Sequence, residues 1–195
     1  MSSYFTPMDQ TLLDSGYLEL FIGPMFSGKT SKLLEIYKQC KFCNIPVAVI
    51  NHSADTRYHD TMLSTHDGNM IPCIQTHDLL SMWDCKENKD LNDAKVILIN
   101  EGQFFPNLAQ IVKSMLDVNR KVYVAGLDGD FERRRFGEIL DLVPLCDKVT
   151  KFTSLCGKCK NGSPGIFSQR ISKEIEQMLI GSDNYIPVCR TCYKK

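Results

Sequence analysis

Gly23, Gly28, Lys29 and Thr30 stand at the fixed positions of G-x-x-x-x-G-K-[ST] in the segment GPMFSGKT at 23–30. The chemistry this spacing serves is phosphate binding. Its glycines allow a tight loop, and the loop residues Met25, Phe26 and Ser27 offer backbone N–H groups to an anion. Lys29 can neutralise the β and γ positions of a nucleoside triphosphate, and the Thr30 hydroxyl can ligate magnesium.

The second segment with chemical potential is NEGQFF at 100–105, where an apolar run ends in Asn100, Glu101, Gln103 and Phe104. In an open α/β sheet the carboxyl ends of strands face the ligand crevice, so Glu101 lies near the phosphates if its strand neighbours the phosphate-loop strand. Three roles fit: a general base taking a proton from an acceptor hydroxyl, a carboxylate that activates water in an ATPase, or an ordinary strand-end acid. DTRY at 55–58 places Asp55 and Arg57 on a long polar stretch. Arg57 suits a phosphate or carboxylate, Asp55 suits magnesium-bound water or loop ordering, and His66 suits a structural hydrogen bond. Phe104, Phe131 and Phe136 are equally suited to a core or to a flat ligand.

Nine cysteines include three C-x-x-C spacings: Cys40 with Cys43, which has no second pair to close a site with, and near the C-terminus Cys156 with Cys159 and Cys189 with Cys192. Two such pairs supply four thiolates to one tetrahedral structural zinc and leave no position for water. Disulfides would need an oxidising setting. The segment between the pairs is expected to form a loop anchored at both ends that closes over a substrate and excludes water.

The elements that position these groups follow from hydrophobic pattern. Residues 16–22 read as a strand feeding the phosphate loop, and 31–40 as the helix after it. Strands are expected at 46–50, 94–99 and 121–125, and a weaker one at 70–74. Helices are expected at 76–85, with Thr76 as cap, and at 108–118. The polar runs 52–69 and 86–93 read as connections, and 147–155 as a mixed strand. This alternation predicts an α/β fold, a phosphate-loop mononucleotide-binding domain with a mostly parallel central sheet. The division is a flexible segment at 1–16, the nucleotide-binding domain at 17–145, and a four-cysteine zinc lobe carrying a lasso-like lid at 146–195. A lobe that small gains stability from a metal.

A chain of 195 residues leaves no room for a separate substrate domain, and 43% apolar content suffices for a core. Charges balance at +0, 23 Lys plus Arg against 23 Asp plus Glu, which gives no general attraction to duplex nucleic acid or anionic membranes. No run approaches a membrane span, and the N-terminus has no secretory pattern, so a cytoplasmic protein is expected. A zinc-containing, ATP-driven nucleic-acid-binding module is the rival function on motifs alone.

Taken together, GPMFSGKT at 23–30, DTRY at 55–58, THD at 65–67, EGQFF at 101–105, LDGDF at 127–131 and the cysteine pairs resemble the type II thymidine kinases over roughly residues 17–193. That resemblance implies phosphoryl transfer from ATP with Mg²⁺ to the 5′ hydroxyl of thymidine, with Glu101 as base and Lys29 and Arg57 at the transferring phosphate. It implies that Met25, Phe104, Phe131 and Phe136 surround the base, and that Ser168 and Tyr185 lie on the lid that holds it. It further implies one structural zinc per chain, a homotetramer, inhibition by dTTP, and the host cytoplasm as location for a viral member. Three positions depart from the family pattern: Asn100 where aspartate is common, Ser168 where threonine is common, and Ser182 after Gly181 where a second glycine is common.

Overall fold

Side chains of strand β1 (Tyr17–Ile22) alternate between two apolar layers: Leu18, Leu20 and Ile22 join one buried cluster, Phe21 the other. This period of two, with both faces buried, is what a central parallel strand requires. The computed structural model describes residues 15–54, 62–65, 68–179 and 181–194. The stretch at 1–14 and Asp55, Arg57, His66 and Asp67 lie outside the described residues.

Helix α1 (Lys29–Phe42) follows the phosphate-loop segment and buries Leu33, Leu34, Ile36 and Cys40 against the Phe21 layer. Then come β2 (Val47–His52), the antiparallel pair β3 (Met62–Ser64) and β4 (Met70–Pro72), and β5 (Ile74–Thr76). Short helices α2 (Leu79–Asp84) and α3 (Lys89–Asp93) precede β6 (Val96–Ile99). Helix α4 (Leu108–Asp117) lays Leu108, Ile111, Val112 and Met115 on the Leu18 layer, and β7 (Lys121–Gly126) follows. After a 3-10 turn at Ile139–Leu145 come β8 (Lys148–Lys151), β9 (Ser154–Leu155), β10 (Pro164–Gly165), β11 (Phe167–Arg170), β12 (Tyr185–Val188) and helix α5 (Arg190–Tyr193).

The main sheet has the order β5-β2-β6-β7-β1-β8, and every pairing in it is parallel. Helices cover both faces, as the alternating pattern predicts. Each fully buried Leu, Ile or Val in these layers contributes about 1.5–3 kcal/mol relative to exposure.

Several local expectations need correction. The helix at 76–85 begins later, because Thr76 ends β5. Asp78 is its cap and accepts from Leu80 N at 3.0 Å and Ser81 N at 3.2 Å. The polar run 86–93 contains α3, capped by Asn88. The weaker strand at 70–74 is two strands, one pairing locally with β3 and one extending the main sheet. The expected strand at 147–155 is also two: β8 pairs with β1, whereas β9 pairs with β10 in the cysteine lobe. The main sheet therefore takes its last strand from beyond residue 145.

Candidate active site

The loop at 23–28 turns where the end of β8 crosses it. A Cβ on Gly23, whose φ is +142°, would meet the Phe152 carbonyl oxygen at 2.4 Å, so this position must be glycine. Gly28, with φ +85°, leads into α1. Lys29 Nζ donates to the Pro24 carbonyl at 2.6 Å and to Ser27 Oγ at 3.4 Å, and Ser27 Oγ donates to the same carbonyl at 2.8 Å. A cation is thereby held inside its own loop, above the N-terminus of α1.

Strand β6 does not neighbour β1, since β7 lies between them. The condition set for Glu101 by sequence is thus not met through adjacency, and side chains bridge the gap instead. Thr30 Oγ1 donates to Asn100 Oδ1 at 3.3 Å, and Asn100 Nδ2 donates to Asn51 Oδ1 at 2.9 Å. Glu101 sits in left-handed backbone (φ 54°) at the start of a 3-10 turn, which throws its carboxylate out of the strand direction. Gln103 Nε2 donates to Glu101 Oε2 at 2.6 Å, and Gln103 Oε1 accepts from Leu127 N at 2.9 Å. Buried Gln103 therefore aims the carboxylate from behind.

These groups share a cavity of about 300 Å³. Met25, Phe26, Ser27, Gly28, Lys29 and Thr30 line it together with Glu101 and Phe104. Phe131, Phe136, Ser168 and Tyr185 line it as well. Phe104 meets Phe136 edge-on, with ring centroids 5.5 Å apart. Gly23, Asn100 and Gln103 support the wall from outside it.

Strand β11 and the segment between β11 and β12 form another wall. Ser168 Oγ accepts from Met25 N at 2.9 Å and so ties β11 to the phosphate loop. Arg170, buried on the same face of β11, lies over the Phe131 ring at 3.9 Å. It donates to the carbonyls of Glu174 (3.0 Å), Glu176 and Gln177 (3.3 Å) and to the Tyr185 hydroxyl. Tyr185 in turn donates to the Leu179 carbonyl at 3.1 Å. Gln177 Nε2 donates to Asp130 Oδ2 at 2.8 Å. Burial alone would raise the Asp130 carboxyl, but donations from Gln177, Arg134 and Glu132 N outweigh it and hold it below the usual carboxylate value. Sequence reasoning gave Arg170, Asp130 and Gln177 no role. The available signal was the period of two on β11, which puts Arg170 on the buried side with Ser168.

In the C-terminal lobe the sulfurs of Cys156, Cys159, Cys189 and Cys192 all lie within 4.8 Å of one another. Tetrahedral zinc with Zn–S of 2.3 Å needs sulfurs about 3.8 Å apart, so this donor set fits such an ion after a small contraction. Backbone N–H groups, Cys159 N foremost, lower the Cys156 thiol to about 6, whereas hydrogen bonding with Cys189 and the other thiols raises Cys192. Four thiolates this close repel one another, and a dication relieves that repulsion. Tyr193 on α5 donates to the Phe131 carbonyl at 2.7 Å, which links the cysteine cluster to the cavity wall.

The profile of the family described as thymidine kinase matches residues 16–193. A thymidine kinase of Sheeppox virus (strain KS-1) is 38% identical over 182 residues, 93% of this chain and 98% of that protein. Thymidine kinases of Vaccinia virus (strain Western Reserve) and Monkeypox virus are each 39% identical over 183 residues, again 93% of this chain and 98% of theirs.

Proposed function

The chain belongs to the thymidine kinase family, and on that premise we propose how its cavity carries out the reaction. The protein is an ATP-dependent kinase that phosphorylates thymidine to dTMP. The single observation that carries the assignment of roles is that Lys29, Thr30 and Glu101 line one cavity with the aromatic groups Phe104, Phe131 and Phe136.

In this reading the triphosphate lies in the loop at 23–30, with the γ-phosphoryl group at Lys29. Thymidine lies with its base among Met25, Phe104, Phe131 and Phe136 and its 5′ hydroxyl at Glu101. Glu101 takes the hydroxyl proton as the oxygen bonds to phosphorus and the bond to ADP breaks. Lys29 counters the charge that shifts onto the leaving oxygens; by family resemblance Arg57 shares that role, and Asp55 is assigned to magnesium-bound water. Ser168, whose oxygen already accepts from Met25 N, keeps its proton for a carbonyl of the base. Deoxyuridine analogues should be accepted, since a missing methyl costs only about 1–3 kcal/mol of discrimination.

A hard cation takes oxygen donors, and Thr30 Oγ1 and Asn100 Oδ1 offer two at 3.3 Å from each other, so these residues suit magnesium. When bound, Mg²⁺ supplies charge neutralisation to the β- and γ-phosphates. The four cysteines would hold one structural zinc per chain, anchoring the segment between β11 and β12 as a lid that excludes water. A homotetramer, feedback inhibition by dTTP in the same cavity and a cytoplasmic location belong to this proposal by family resemblance. Among the described residues no helix is long and apolar enough to cross a membrane.

Glu101→Gln tests the assignment of the base. The variant should fold and bind Mg·ATP as the parent does, yet transfer phosphate about 10²- to 10⁴-fold more slowly. Transfer near the parent rate would remove Glu101 from the role.

A further inference from the structure

Asn100 is 2% exposed and Asn51 1% exposed, and each is a neutral amide that could present either its oxygen or its nitrogen to a neighbour. At Asn100 the choice has chemical weight. A threonine hydroxyl lends a lone pair to a cation well only when its own proton points to another acceptor. With Asn100 Oδ1 facing Thr30, that acceptor is supplied, at 3.3 Å. With the amide reversed, an N–H would donate to Thr30 Oγ1 and compete with the cation for the lone pair.

We propose that Asn51 is a positioning residue for the magnesium-nucleotide end of the site, holding the Asn100 amide with its oxygen toward Thr30; this rests on the reading of the cavity as an ATP site. Asn100 Nδ2 donates to Asn51 Oδ1 at 2.9 Å, which fixes the Asn100 orientation so long as Asn51 presents its oxygen. Asn51 is fixed in turn by Gln75, its partner across the β2–β5 pairing. In the orientation its neighbours satisfy, the Gln75 side-chain oxygen accepts from Asn51 Nδ2 at 3.2 Å, and its nitrogen donates to the Asn51 and His52 carbonyls at 3.3 Å. Backbone carbonyls can only accept. They therefore set the polarity of Gln75, which sets Asn51, then Asn100, then the direction of the Thr30 proton. The relay crosses β5, β2 and β6 and ends on α1, spanning the gap that β7 leaves between the two halves of the site. No charge is used, which is consistent with a chain that carries asparagine before Glu101.

The test is binding of a fluorescent N-methylanthraniloyl ATP to the full chain without thymidine, titrated with Mg²⁺ and repeated in EDTA. Asn51→Leu removes the acceptor, and the Mg²⁺ concentration for half-maximal binding should rise about five- to tenfold, the loss of roughly one buried hydrogen bond. Binding in EDTA should stay within about twofold of the parent. Gln75→Leu, at a less buried position, removes the Gln75 acceptor of Asn51 Nδ2 and should raise the requirement about twofold, which provides a reading if Asn51→Leu does not fold. An unchanged Mg²⁺ requirement in both leucine variants would overturn the relay, as would an equal loss of binding with and without Mg²⁺. A parent chain that bound no nucleotide at all would overturn it by a different route, through the ATP site itself.

Discussion

Arg170 holds three backbone carbonyls of the segment between β11 and β12 while its guanidinium lies over Phe131, so one side chain joins that segment to the cavity wall. Hydrogen bonds from a charged donor are worth about 1.5–3 kcal/mol, so Arg170→Ala should raise the KM for thymidine about tenfold or more. The KM for ATP should change little, because the hydrogen bonds and ring contacts of Arg170 go to the β11–β12 segment, Tyr185 and Phe131; steady-state kinetics with each substrate varied separately would check both. Arg170→Lys should not rescue, since an ammonium can neither stack as a plane nor fork across carbonyls. The contrast with Lys29 explains what sequence can convey about a site. Lys29, Thr30 and the glycines act within one contiguous loop, so their spacing carries their chemistry. Arg170 acts on carbonyls, which every residue has, and no motif encodes them. Gln103 is intermediate: it stands in a recognisable segment, but its task of aiming Glu101 depends on Leu127 N from the next strand's exit.

At the scale of elements, the turn after β7 and the lid meet through Asp130. Its side chain is fully buried and accepts from Arg134 and Gln177, with a depressed carboxyl pKa. A carboxylate whose folded pKa lies below its unfolded value contributes stability above the unfolded value, about 3.9, and loses it as pH falls through the folded one. Urea denaturation of the parent and Asp130→Asn should therefore differ fully at pH 5–7, and the gap should shrink below about pH 4. A gap independent of pH would mean that the charge on Asp130 is irrelevant. The strands of the sheet were readable because doubly buried parallel strands are continuous apolar runs. Strand β8 was less so, because KVTK at the sheet edge has a single apolar residue and its pairing with β1 depends on residues far away in sequence. Likewise Thr76 and Asp78 both qualify as caps by type, and only the pairing of β5 with β2 decides between them.

For the whole molecule, the C-terminal lobe is joined to the cavity by Tyr193, which donates to the Phe131 carbonyl, and by Arg133, which lies over the Tyr193 ring at 4.2 Å. Elemental analysis should find one zinc per chain. Stripping it with a strong chelator should abolish thymidine binding while ATP binding to the sheet domain persists; simultaneous loss of both would show that the lobe supports the entire fold. Sequence could place four sulfurs in two pairs, but not the route from them to the cavity wall, which passes through the Phe131 carbonyl. The central claim is that sheet and lobe together present thymidine to the γ-phosphate of ATP. The most direct measurement is product analysis of the purified chain incubated with Mg·ATP and thymidine, beside parallel incubations with single-stranded DNA and RNA. Stoichiometric dTMP and ADP, with no stimulation of ATP hydrolysis by either polymer, is the predicted result; ATP hydrolysis driven by a polymer with no dTMP formed would contradict it.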